Sequence, residues 1–329
     1  MKYVNLIKTL REIQDHIPVN MTNDEDTVAP YFSNAERLYI LQLIGRAQFD
    51  VLCEAYKSAD YNLQEIVDEE IRHAIFICQK VISNLGYYQA MPVLAVSVGV
   101  SGIQVLSNDQ TKQAFQWQVE DLKNSILELG FSAIEELLAF LVESPDKFPE
   151  YIASEQFAKQ ESVLIRTASE FSKYYNINDS RFVLHSINYL QKRVEDQLIA
   201  PLISRNLLEA LKDGELSAEM QDLADNYIKP GLALLTIAKA MVERVIVLEN
   251  GRAQINFKGT YANMKETAIP SQQQLRETVD QLTEDANTYL QSGKEYITPN
   301  LEAFPAFVPP PVRRRFRINN DKSKGVFGV

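Results

Sequence analysis

The chain has 329 residues, 46% of them apolar and 23% charged, with a net charge of -11. That length suits about two domains with a sizeable core, and the acidic balance argues against general nucleic-acid affinity, which needs a basic face. Two cysteines (Cys53, Cys78) exclude a disulfide framework and suit a reducing compartment, and no run of about 18 uncharged apolar residues offers a membrane span.

In chain order, residues 3–17 read as a short amphipathic helix (Ile7, Leu10, Ile13, Ile17) stopped by Pro18, and not as a signal peptide. The polar stretch Asn23-Asp24-Glu25-Asp26-Thr27 places Thr27 as the N-cap of the next helix. There Phe32, Ala35, Leu38, Tyr39, Leu41, Leu43 and Ile44 form one stripe at three-to-four spacing. A third helix, about 64–91, carries Ile66, Ile71, Ile75, Ile77, Val81, Ile82 and Leu85 and stops before Pro92. Its apolar face is wide enough for the central helix of a bundle.

Then the period changes. Val96, Val98 and Val100 alternate with Ser97, Gly99 and Ser101, a two-residue repeat that predicts a strand, with a turn at Ser101-Gly102 and a return over Ile103–Val105. Ser107-Asn108-Asp109 caps a long helix, roughly 109–143. Its predicted core face is Phe115, Val119, Leu122, Ile126, Leu129, Ile134, Leu137, Leu138 and Leu141, with Gly130 as a bend; Trp117 fits either the core or an interface, the core being favoured.

The same unit then recurs. Ile7-Lys8-Thr9-Leu10-Arg11-Glu12-Ile13 is echoed by Ile165-Arg166-Thr167-Ala168-Ser169-Glu170-Phe171, and Val93, Val96, Val98 and Gly102 by Val242, Val245, Val247 and Gly251. Phe148-Pro149-Glu150-Tyr151 meets Phe304-Pro305-Ala306-Phe307. Asn250-Gly251 is a strong hairpin turn, since both residues tolerate positive φ. The closing helix, about 271–297, has a thinner apolar face (Leu275, Val279, Leu282, Leu290, Ile297), as if it leaned on a neighbour or on the first unit. The fold expected is mainly α: two tandem helical-bundle units, 1–155 and 156–307, each with a small β-hairpin, plus an extended C-terminal arm, 308–329.

The arm is of different composition. Val308-Pro309-Pro310-Pro311-Val312 favours an extended polyproline path. From Ala306 on, Arg313, Arg314, Arg315, Arg317, Lys322 and Lys324 face one acid, Asp321, so the tail carries +5 and the body -16. Fully extended, the arm reaches about 70 Å at ~3.3 Å per residue. A basic stem with an apolar tip (Val326, Phe327, Val329) suits docking, although the same composition also describes a solvated terminus.

Motifs that carry chemistry are sparse. Glu70 and His73 have the spacing of di-iron helix bundles, but neither His16 nor His185 has the matching Glu three residues before it. Cys53, His73 and Cys78 do not make a paired zinc spacing. There is no Gly-rich phosphate loop and no Gly-x-Ser-x-Gly elbow. Neither an enzyme nor a cofactor is expected.

The stretch Gln79–Glu143, and above all Ser107-Asn108-Asp109-Gln110-Thr111-Lys112-Gln113-Ala114-Phe115-Gln116-Trp117-Gln118, resembles an uncharacterised family of Bacteroidetes phage and prophage proteins. With its Ala35-Glu36-Arg37-Leu38-Tyr39-Ile40 entry, the first unit also resembles the helical head–tail connector (adaptor) proteins of tailed phages. The resemblance covers about the first 150 residues, and its motifs are patterns of fold. It implies a virion structural protein forming a homo-oligomeric ring, typically a dodecamer, between portal protein and a tail or tail-adaptor protein. DNA would pass through without sequence-specific binding, with no membrane involved, after assembly in the host cytoplasm. Connectors of that type are one unit long, so the doubling departs from the pattern. On this reading Arg313, Arg314, Arg315, Arg317 and Phe327 meet the partner, and Val98, Gly102, Asn250 and Gly251 at the hairpins line a channel or an interface. The alternative is a cytosolic helical adaptor that binds a partner protein outside any virion.

Overall fold

The computed structural model describes residues 4–17, 25–94, 96–99, 102–105, 115–213, 216–243, 246–249, 252–255 and 272–309. The chain is mainly α-helical. Its buried apolar side chains fall into two clusters, one drawn from Val4 to Tyr151 and the other from Leu164 to Phe304.

The first helix is shorter than its sequence pattern predicts: α1 spans only Leu10–Gln14. Glu12 reaches back to the N–H groups of Lys8 and Thr9, both at 2.7 Å, and fixes the start. The preceding residues are held elsewhere. The N–H groups of Asn5 and Leu6 each donate to the Glu36 carboxylate at 2.9 Å, and Asn5 Nδ2 donates to its other oxygen at 2.7 Å.

Glu36 opens a π-helical turn. α2 (Glu25–Ala35) continues into π1 (Glu36–Leu41) and then α3 (Gln42–Ile44). Thr27 therefore lies inside α2 and is not its cap. A π-turn holds more than 3.6 residues, so it shifts the phase of every side chain after it. Ile40 is fully buried as a result, while Leu38, Tyr39 and Leu41 are half-buried. The chain then breaks at Gly45 (φ +81), a left-handed conformation that favours glycine. The sequence reading passed over α4 (Arg46–Ser58), which buries Phe49, Leu52 and Tyr56.

The central helix α5 (Glu69–Leu94) runs two residues past Pro92, because a proline in the last turn removes only one ladder bond. Strands β1 (Val96–Gly99) and β2 (Gly102–Val105) pair antiparallel, Val98 opposite Ile103 and Gly99 opposite Gly102. Helix α6 (Gln116–Glu143) packs along α5 and runs unbroken through Gly130. A Cβ there would lie 2.4 Å from Leu85 Cδ2, so this glycine marks a close helix–helix approach, not a bend.

Short helices α7 (Pro149–Ile152) and α8 (Glu155–Glu161) lead to the second cluster. There the local devices recur. Thr167 caps α9 (Ala168–Tyr174), accepting from Glu170 N at 3.2 Å. α10 (Arg181–Val194) continues into π2 (Glu195–Ile199) and α11 (Ala200–Ile203). Glu195 is fully buried and accepts from Leu164 N at 2.6 Å, as Glu36 does from Leu6. Ser204 (φ +71) breaks the helix where Gly45 does, and α12 (Arg205–Lys212) follows.

α13 (Ala218–Leu223), π3 (Ala224–Ile228) and α14 (Lys229–Val242) form the second central rod. Strands β3 (Ile246–Glu249) and β4 (Arg252–Ile255) pair antiparallel after it. The last helix, α15 (Gln272–Ile297), does not lean on the first cluster. It packs along α14 of its own half, burying Leu282, Ala286, Leu290 and Ile297.

The two halves meet where α10 begins. The Glu135 carboxylate on α6 accepts from Arg181 N at 2.7 Å, Phe182 N at 2.8 Å and the Ser180 hydroxyl. An acid from one half thus satisfies the free N–H groups of a helix in the other. The rings of Phe131 and Phe182 stack beside it at 5.5 Å.

The Glu36 carboxyl sits above the usual carboxylate range because burial penalises its charge, while the N–H donors of Leu6 and Asn5 pull the other way. Glu36→Ala would leave those donors without an acceptor and is expected to cost about 3 kcal/mol. Glu36→Gln keeps an amide oxygen for them and should cost much less. A carboxyl whose folded pKa is raised contributes stability that is complete below its unfolded value and lost as pH rises through the folded one. Wild type should therefore lose stability relative to Glu36→Gln as pH rises over that window. Urea unfolding of both proteins across pH checks this; a difference that moves the other way contradicts the assignment.

Candidate interaction surfaces

The residues with the best spacing for chemistry are engaged structurally. Glu70 pairs with Lys147 at 3.4 Å, and Lys147 also meets Asp68 at 2.9 Å. The His73 ring lies edge-on to Phe140 at 4.9 Å. Among the described residues no group of three or more His, Cys, Asp or Glu could hold a metal. Burial lowers the pKa of His16 and His185 and pushes the Cys53 thiol up to about 12, with Cys78 raised as well. Both thiols stay protonated at neutral pH, the inert form.

Glu195 has a cation beside it, which Glu36 lacks among the described residues: Lys212 Nζ lies 2.8 Å away with its side chain 7% exposed. Burial still raises this carboxyl, and Lys212 works against that shift. The arrangement is a buried ion pair that ties α12 to π2, next to the backbone of residue 164.

Of the hairpin residues singled out in the sequence, Val98 and Gly102 sit in the first ribbon at paired backbone positions. Asn250 and Gly251 lie outside the described residues, between β3 and β4. Each ribbon follows directly on a central helix, and the last turns of those helices expose Val93 (40%) and Val242 (60%). Arg313, Arg314, Arg315, Arg317 and Phe327 also lie outside the described residues.

The start of the arm is anchored. Ser204 Oγ donates to Ala306 O at 3.3 Å, accepts from Val308 N at 3.2 Å and caps α12 through Leu207 N at 3.3 Å. Phe304, four residues before Val308, is buried in the second cluster and rests on Tyr296. The tail therefore departs from a fixed point on the second half.

The largest departure from the sequence reading is on the first half of α6. Phe115, Leu122, Leu129 and Trp117, all assigned to the core, are 44–68% exposed. Ile126 is the first buried residue of the helix, and the continuous core face begins only at Gly130 and Ala133. Phe115, Leu122 and Leu129 recur every seven residues, so they form a line along one side of the helix. Trp117, Asp121 and Glu128 share a second side, and both acids are exposed. Periodicity finds a helix's apolar line but cannot tell whether a partner covers it.

Ser204→Ala should cost about 1–2 kcal/mol, because it removes a helix cap as well as the acceptor for Val308 N. Ser204→Gly loses the same hydroxyl but relieves the positive φ, so it should cost less. Thermal melts of both variants, with amide exchange read at Val308, check the order.

A family model described as a family of unknown function (DUF6712) matches residues 40–161 and 189–317. The two segments are offset by 149 residues at their starts and 156 at their ends, as in the internal echo. No curated protein and no solved structure matches the chain. The match covers more than half of the sequence, and the chain belongs to this family of unknown function, DUF6712.

Proposed function

We propose that the protein is a virion structural component, a head-to-tail connector that acts by assembly and not by turnover. In this reading copies of the chain close into a ring, typically of twelve as in the connectors that the first unit resembles, between the portal protein and a tail or tail-adaptor protein. DNA passes through the ring without sequence-specific contact. Residues 1–155 and 156–307 are the two units, and 308–329 is the strap that joins a subunit to its neighbour or to the portal. No cofactor takes part, and assembly takes place in the host cytoplasm before the protein is carried in the virion.

The observation that carries this reading is the repetition of one device: a buried glutamate at a π-turn, a central helix, a β-ribbon continuing from it and a closing helix. A unit used twice supplies shape and surface, and ring contacts between copies are heterologous, closing by rotation. The ribbons, with Val98, Gly102, Asn250 and Gly251, are the parts proposed to face the channel or a partner. The charge distribution supports the same reading, because an acidic body repels passing DNA while a basic tail finds an acidic neighbour.

Sedimentation and negative-stain images of the purified chain, alone and with portal protein, are expected to show rings. A monomer at every concentration that ignores portal would overturn the reading and favour an adaptor outside the virion. Deletion after Phe307 is expected to leave the helical circular-dichroism signal intact and to stop assembly. Assembly without the tail would remove its role.

A further inference from the structure

The exposed half of α6 has the chemistry to hold an arginine-rich strand. Trp117 is 63% exposed, with Asp121 one turn and Glu128 about three turns farther along the same side of the helix. A guanidinium stacks on an indole face and pairs with carboxylates beside it, which is a stronger match than either contact alone. Around the helix from that side runs the apolar line Phe115, Leu122 and Leu129. The side chains on this surface thus offer two strips, one acidic and aromatic, the other aliphatic and aromatic.

One segment of this chain carries the complement of both. Past Pro309, where the described chain ends, twenty residues remain. They contain Arg313, Arg314, Arg315 and Arg317 and then the apolar tip Val326, Phe327 and Val329. At ~3.3 Å per residue they reach about 66 Å from their anchor at Ser204. That length suffices to cross to another molecule. We propose that the C-terminal tail of one copy docks on the α6 surface of a second copy, its arginines on Trp117, Asp121 and Glu128 and its tip on the Phe115–Leu122–Leu129 line. The choice of a neighbouring copy as donor rests on the ring reading above.

The chain contains a single tryptophan, so emission excited where tyrosine does not absorb reports on this surface alone. On serial dilution of the full-length protein, Trp117 emission is expected to shift to the red as copies part, in step with a fall in mass by sedimentation. Replacing Arg313, Arg314, Arg315 and Arg317 together by glutamate should give the red-shifted spectrum at every concentration. Asp121→Lys with Glu128→Lys, both exposed and outside the core, should weaken association about tenfold or more while leaving the melting temperature unchanged. Emission that ignores both dilution and the arginine changes would overturn the proposal. Emission that ignores dilution but responds to the arginine changes would overturn it too, since the tail would then sit on its own chain. These measurements use the purified chain alone. Association through this contact in a protein never found in virions would uphold the contact and remove the connector role, so the two readings fail separately.

Discussion

The structure depends on a buried carboxylate at the first residue of a π-turn. From a segment some thirty positions earlier Glu36 takes two backbone N–H groups and Glu195 one, each with almost no contact with solvent. A π-turn is uncommon because it crowds the helix and loosens its ladder. Here it turns the glutamate inward, toward the N–H donors of the approaching segment. Without that anchor Val4, Leu6 and Ile7, all buried in the first cluster, would have no fixed register on the bundle. Leu164 and Ile165 hold the equivalent place in the second.

The two copies have diverged around this anchor. In the first, no cation among the described residues pairs with Glu36, and Asn5 Nδ2 supplements the tether. The second places Lys212 against Glu195 and uses Ser204 where the first uses Gly45. Ser204 tolerates its positive φ because its hydroxyl serves three backbone groups, among them Val308, where the tail begins. Gly45 packs under the Ser154–Gln156 corner, where a Cβ would come within 3.0 Å of Gln156 Oε1. The equivalent break in each half thus receives the chain leaving that half.

Much of this was legible in the sequence. The long helices could be read from three-to-four spacing, because α5, α6 and α15 obey it over seven or more turns. The echo of Thr9-x-x-Glu12 in Thr167-x-x-Glu170 is visible in the sequence, and the structure shows that each copy opens a helix, after Thr9 and after Thr167. What could not be read was set by distant partners. Nothing near Asn5 says that its N–H belongs to Glu36, so α1 was overextended. A π-turn has no spacing signature, so the stripe through Leu38 and Leu41 was phased wrongly. The exposure of Trp117 and Phe115 escaped for the opposite reason: their residue types fit a core that does not extend over that end of α6.

The contact of Glu135 with the start of α10 makes the relation between the halves part of a helix terminus. Three donors of one half converge on one carboxylate of the other, and the Phe131–Phe182 stack closes the gap beside it. Swinging one half away would therefore expose uncapped amides and two aromatic faces together. These contacts fix the two halves against each other, which beads on a string would lack. An array built from copies of this chain would take part of its curvature from the angle that Glu135 holds between the halves.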